Sequence, residues 1–148
     1  MHLPNDIDRS APVISRETID VAAPLATAWA LHCDVNAWTT WNSDITEARI
    51  VGHFAVGNSF NWTSHDFPVT STIYAVEDHR RILWGGPASG ITGIHEWVFE
   101  ETANGVTITT TESFGGDPVD ASVASMQAML DGSLKSWLSQ IKRAAENA

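Results

Sequence analysis

Cysteine is almost missing from this sequence. Cys33 stands alone, so no internal disulfide can form, and a reducing cytoplasm is the expected location. Basic residues are scarce as well: 8 Lys plus Arg against 18 Asp plus Glu leave a formal net charge of −10, which repels phosphate backbones and anionic headgroups alike. Neither nucleic acid nor membrane insertion is therefore expected. No apolar stretch approaches the length of a membrane span, and the opening MHLPNDIDRS lacks the basic start and apolar run of a secretion signal. Gly-x-Ser-x-Gly is absent. The run Gly85-Gly86-Pro87-Ala88-Ser89-Gly90 lacks the lysine of a phosphate loop and the helix that follows a dinucleotide fingerprint, so hydrolase, nucleotide-binding and dehydrogenase readings fall away, and no cofactor is expected. His2, His32, His53, His65, His79 and His95 are scattered without zinc-like spacing, and no metal is expected either.

What is abundant is tryptophan, seven of 148 residues, each a large rigid surface whose indole N–H needs a partner when buried. The length suits one domain, and 43% apolar residues suffice for its core. Residues 1–12 read as a loose leader and 13–148 as one domain. Val13 to Ala22 alternates apolar and polar side chains and predicts a first strand. Pro24 then opens a helix with Leu25, Ala28, Trp29 and His32 on one face, and Asp34 N-caps a second short helix ending near Trp41. Six further strands are expected over Thr46–Phe54, Asn58–Ser64, Val69–Glu77, Arg81–Gly85, Gly90–Glu100 and Gly105–Gly115. Their breaks fall at Val56-Gly57, Phe67-Pro68, Asp78-His79, Gly86-Pro87 and Asn104-Gly105. Asp117-Pro118 begins one long amphipathic helix whose apolar stripe runs Val119, Val123, Met126, Leu130, Leu134, Trp137 or Leu138, and Ile141. This order predicts an α+β fold in which a seven-stranded antiparallel sheet covers its apolar face with the last helix.

Alternation sends Glu96 and Glu100 to solvent and His95, Trp97 and Phe99 inward; on the next strand Val106, Ile108, Thr110, Glu112 and Phe114 form the inward set. A two-residue turn at Asn104-Gly105 places Trp97 opposite Glu112, and a four-residue turn places His95 there instead. Either way an inward carboxylate sits on an otherwise apolar face, a costly placement unless the group is paired, wet or protonated. Phe60, Trp62, Ser71, Ile73, Ile82 and Trp84 on the strands, with Met126, Met129 and Leu130 on the helix, complete the inward lining.

These residues resemble a known superfamily. The segments IDVAAPLATAWALHCDVNAWTTWNSDI, VGNSFNW, VTSTIYAVEDHRRILWGG, GIHEWVFEE and VTITTTESFGG are similar to the START-like (SRPBCC) superfamily, especially its bacterial polyketide cyclase/dehydrase-like branch, over about Thr18 to Ala145. The resemblance lies in Ala23-Pro24 and Trp29 of the first helix, Trp38-x-x-Trp41-Asn42, Arg80-Arg81-Ile82-Leu83-Trp84 and His95-x-Trp97-x-Phe99. It implies a helix-grip fold with a cavity for hydrophobic ligands between the sheet and the C-terminal helix. Superfamily members include lipid and sterol carriers, hormone receptors, aromatase/cyclases and co-chaperone-like modules, so the fold leaves the function open.

The expected partner is a hydrophobic, ring-containing small molecule, and a homodimer is left open. The expected ligand contacts are Trp41, Phe60, Trp62, Ser71, Ile73, Trp84, Trp97, Phe99, Thr110, Phe114, Met126, Met129 and Leu130. Trp29, Trp38 and Trp137 read as plain packing. Glu112, aided by His95, is the candidate acid/base of a cofactor-free cyclase or dehydratase. Against that stand a Glu112 merely hydrogen-bonded to Trp97 N–H or another inward donor, a carrier or sensor without chemistry, and a co-chaperone-like interaction module.

Overall fold

In the computed structural model, which describes residues 2–148, the alternating VISRETIDV forms strand β1 (Val13–Val21). Pro24, at φ −60° and ψ 145°, turns the chain into helix α1 (Leu25–Cys33), which buries Ala28, Trp29 and His32. A 3-10 turn over Val35–Thr40 follows, with Asp34 at its N-cap position but making no side-chain cap bond. Strands β2 (Ile45–Ile50), β3 (Ser59–Ser64), β4 (Phe67–Glu77), β5 (Arg81–Ala88), β6 (Ile91–Thr102) and β7 (Gly105–Gly115) form a meander. Helices α2 (Asp117–Asp120) and α3 (Val123–Glu146) end the chain. The sheet is antiparallel with the order β1-β7-β6-β5-β4-β3-β2, so β1 joins at the far side, next to the last strand. Helix α3 packs on β1 and β7 with α1 beside it.

Several boundaries differ from expectation for local reasons. Strand β2 stops at Ile50 rather than Phe54. The β3–β4 turn is made by His65 and Asp66, both at positive φ, so Phe67 and Pro68 lie inside β4, where Pro68 pairs with Thr63. Likewise Ser89 and Gly90 make the β5–β6 turn, and Gly86-Pro87 stays within β5. The last helix is not continuous: Gly116, not Asp117, is the N-cap of α2, and Ser122, at φ −150° and ψ 48°, breaks the helical path before α3. Nor is the leader loose throughout. Ile7 is 4% exposed against Leu83 and Ile94 on the outer face of the sheet, Asp8 N–H donates to Ser113 Oγ at 3.0 Å, and Arg81 Nη2 donates to the Asn5 carbonyl at 2.7 Å.

The β6–β7 hairpin decides the geometry of the interior. Thr102 pairs with Gly105, so the loop is Ala103-Asn104 and the register places His95 opposite Glu112. Gly105 is required there, because a Cβ would come within 2.1 Å of the Val21 carbonyl oxygen on β1.

Candidate functional site

Cross-strand pairing lines up four inward residues. Trp84 on β5 faces His95 on β6, His95 faces Glu112 on β7, and Glu112 faces Ser15 on β1. The row continues onto α3, because Ser15 Oγ donates to Asp131 Oδ1 at 2.5 Å and Gln127 Nε2 reaches both Asp131 Oδ1 and the Ile14 carbonyl at 2.9 Å. The bonds from Ser15 and Gln127 lower the Asp131 carboxyl below its ordinary range.

At the centre, His95 Nδ1 lies 3.3 Å from Glu112 Oε1, while His95 Nε2 lies 2.6 Å from Thr110 Oγ1. Thr110 Oγ1 donates its one proton to the Glu96 carbonyl at 2.9 Å, so it can only accept from His95. Nε2 therefore carries the imidazole proton, and the Nδ1 lone pair faces the carboxyl. Burial pushes Glu112 up to about 8, and burial, followed by the neighbouring His32, holds His95 well below its ordinary value. At neutral pH the pair is thus a protonated acid facing a neutral base. Its environment is made by a small residue: a Cβ on Gly93 would lie 3.2 Å from Glu112 Oε2 and 3.3 Å from the Phe114 ring, so glycine leaves the carboxyl its place. Trp97 is not its partner, since the Trp97 indole N–H has none.

The aromatic residues expected to line a cavity fill it instead. Phe60, Ile73, Trp84 and Trp97 are at most 1% exposed, and Phe99 and Leu130 are at 2%. Trp84 meets Phe60 at 5.3 Å and Trp62 at 5.6 Å between ring centroids, and Trp97 meets Trp137 at 5.4 Å. Ser71 accepts from Trp62 Nε1 at 3.0 Å. Trp41, Trp62, Phe114 and Met126 are partly buried against this core. Met129 does not belong to it. At 54% exposure it faces solvent, because the inward stripe of α3 follows Leu130, Leu134, Trp137 and Ile141. A shallow concavity of about 490 Å3 lies elsewhere, among α1, the 3-10 turn and Ala148, and of the expected contacts only Trp41 borders it.

The comparisons with known proteins fit this architecture. The family model described as polyketide cyclase / dehydrase and lipid transport matches residues 12–146. The chain belongs to that family. Among solved structures, it superposes on hypothetical protein jhp0584 from Helicobacter pylori with a TM-score of 0.79 at 18% identity, over 98% of this chain and 99% of that one. A START superfamily protein from Mycobacterium smegmatis gives a TM-score of 0.76 at 11% identity, over 90% and 97%. The di-domain ARO/CYC StfQ from the steffimycin biosynthetic pathway gives 0.73 at 14% identity, covering 91% of this chain and 51% of that one. At these identities the structural likeness establishes the fold. No curated protein matches the sequence.

Beside the row of inward residues, this member of the polyketide cyclase / dehydrase and lipid transport family has polar groups that sequence reading missed. Gln140, 6% exposed, accepts from Ser43 N–H at 2.6 Å and donates to Asn42 Oδ1 and Asp44 Oδ2 at 3.1 Å, tying α3 to the entry of β2. Its signal in the sequence is a glutamine on the stripe between Trp137 and Ile141. His32 is the other omission. Fully buried, it accepts from Trp84 Nε1 at 3.1 Å, and burial lowers it to about 3. Cys33, pushed up to about 12 mainly by burial, is no nucleophile. Among the described residues no three His, Cys, Asp or Glu side chains are placed to hold a metal ion, and no helix is long and apolar enough to cross a membrane.

Proposed function

We propose that this chain takes up a hydrophobic, ring-containing small molecule between the sheet and α3, and that Glu112 acts on it as a general acid/base without any cofactor. The family description, polyketide cyclase / dehydrase and lipid transport, supports a hydrophobic ligand. The observation that carries the catalytic half is the Glu112–His95 contact of 3.3 Å, in which burial favours the neutral form of both groups. A carboxylic acid held protonated near pH 7 can give a proton to a carbonyl or departing hydroxyl oxygen of the ligand; the resulting carboxylate, beside a neutral imidazole, can then take a proton from carbon. Closing these steps away from water and holding a flexible ligand in one shape supplies the rest of the rate. The packed interior must loosen to admit the ligand, and Trp41, Trp62, Glu112, Phe114 and Met126 are only half-buried.

The test starts from native mass spectrometry of freshly purified protein to capture a copurified molecule, followed by turnover of that molecule by wild type and by Glu112→Gln. Loss of turnover by a factor of about 10² or more in the variant is expected, the usual size of a general-acid/base contribution. Equal turnover by the two proteins would remove Glu112 from the mechanism. Return of the ligand unmodified by wild type would favour a carrier, the lipid-transport side of the family, with Glu112→Gln changing affinity alone.

A further inference from the structure

Besides Trp41 Nε1, two buried hydrogen-bond donors have no protein partner, and the rings that carry them are neighbours. Trp97 Nε1–H is one. The other is His32 Nδ1. Because Trp84 Nε1–H, which can only donate, bonds His32 Nε2 at 3.1 Å, Nε2 must be the acceptor and the imidazole proton sits on Nδ1, which bonds nothing. Both side chains belong to residues with 0% exposure, and their ring centroids are 4.5 Å apart. Leaving such a donor buried without an acceptor is costly, so two on neighbouring rings favour an oxygen atom beside them. His95 stacks on Trp97 at 5.0 Å, which places the region beside the Glu112–His95 pair.

The demand is also selective. Among the described residues every Lys and Arg is half-buried or exposed, and none is in the buried core, whose titratable groups His32 and His95, with the neighbouring Glu112, are pushed toward their neutral forms by burial. A negatively charged oxygen would find hydrogen bonds here but no countercharge. Hydroxyl groups would bring a proton that none of these donors can accept. We infer that His32 Nδ1–H and Trp97 Nε1–H form an oxygen subsite at the deep end of the ligand position, built for the carbonyl oxygen of an uncharged molecule. The inference rests on the proposed binding of a ligand in the interior, and it adds the group by which that ligand is oriented.

The probes are 9-fluorenone and fluorene, planar tricycles that differ in the carbonyl, together with fluorene-9-carboxylate, which carries its oxygens with a charge. Calorimetry on the full chain is expected to show fluorenone binding about tenfold more tightly than fluorene, the value of one to two neutral hydrogen bonds, and the carboxylate binding more weakly than fluorenone. The infrared carbonyl stretch of bound fluorenone is expected below its frequency in hydrocarbon solvent, and Trp97→Phe is expected to return it part-way and to shrink the fluorenone-to-fluorene ratio. If that variant does not fold, the wild-type ratio and frequency still decide. Equal affinities for fluorenone and fluorene, or an unshifted stretch, would overturn the subsite while leaving the ligand-binding reading intact. Carboxylate binding as tight as fluorenone would overturn the preference for an uncharged group. Absence of binding by all three would overturn both readings.

Discussion

On β3, β4 and β5 the inward face of the sheet is aromatic and aliphatic apart from Ser71: Phe60, Ile73, Ile82 and Trp84 are at most 1% exposed, and Trp38 closes over them with its ring 5.3 Å from Phe60 and 5.9 Å from Trp84. On β6, β7 and β1 the same face carries His95, Glu112 and Ser15 in line, with Asp131 above. The two halves differ in what burial does to them. In the aromatic half it removes apolar area from water and stabilises the fold; in the polar half it keeps Glu112 protonated at neutral pH, where a glutamic acid in water is ionised, beside a His95 that burial keeps neutral. The first half supplies the rigidity against which the second is held out of its preferred state, a division expected wherever a fold carries a chemically poised group.

Breaking the aromatic half has the largest expected effect. Trp38→Ala deletes a fully buried ring and its N–H bond to the His32 carbonyl at 2.9 Å, and urea unfolding is expected to show a loss of about 3–5 kcal/mol. A loss under about 1 kcal/mol would mean that the rings are loosely packed and that the contrast between the halves is false.

The polar half is tested by pH. The folded protein keeps the Glu112 proton up to about pH 8, against 4.5 for an ordinary glutamic acid, so this group's contribution is fully present below about pH 4.5 and is lost as pH rises through 8. Burial of neutral His32, held at about 3 against 6.5, has the opposite slope: its contribution is complete above about pH 6.5 and is lost as pH falls toward 3. Neutral His95, also held below its ordinary value, adds a slope of the same sign as His32, so stability is expected to be greatest near pH 6.5, between the rise carried by the two histidines and the decline carried by Glu112. Glu112→Gln is expected to remove the alkaline decline, on the order of a few kcal/mol between pH 6 and 9, and to leave the acid decline in place. An unchanged alkaline limb in unfolding curves would show that Glu112 is ionised in the folded protein.

The smallest effect sharpens the boundary of both halves. Met129→Ser, at a position that sequence reading assigned to the ligand, is expected to change stability by less than about 0.5 kcal/mol and to leave any ligand affinity unaltered, because the side chain is 54% exposed. A larger change in calorimetric affinity would bring the outer side of α3 into the binding surface.

The seven strands were legible because alternation over stretches such as VISRETIDV and GVTITTTESFG has a period no helix shares. The inward position of Glu112 followed from the same alternation. Its partner did not: one shift of the β6–β7 register exchanges His95 for Trp97, and the loop residues Ala103-Asn104 that decide it carry a weaker signal than the Asn-Gly dipeptide beside them. The docking of Ile7 was hidden because a single isoleucine in a polar stretch has no period to read. Gln140 meets Asn42 across 98 residues, and such polar partnerships follow from the packed fold rather than from local pattern. The filled interior was beyond sequence for a similar reason, since the spacing of helix and sheet sets the volume left over.

The aromatic core has one more consequence, and it is optical. Trp41, Trp137, Trp38, Trp84 and Trp62 form an unbroken chain with successive centroids 5.2–6.0 Å apart, and Trp97 branches from Trp137 at 5.4 Å. Six of the seven indoles are thus close enough to share excitation, while Trp29 stands outside and stacks on His79 at 5.3 Å. Light absorbed anywhere in the cluster is emitted from its lowest-energy ring with its polarisation largely lost, and the near-ultraviolet dichroism carries the signature of coupled chromophores. A molecule entering the interior disturbs that coupling at every ring at once, so the protein contains its own reporter of occupancy.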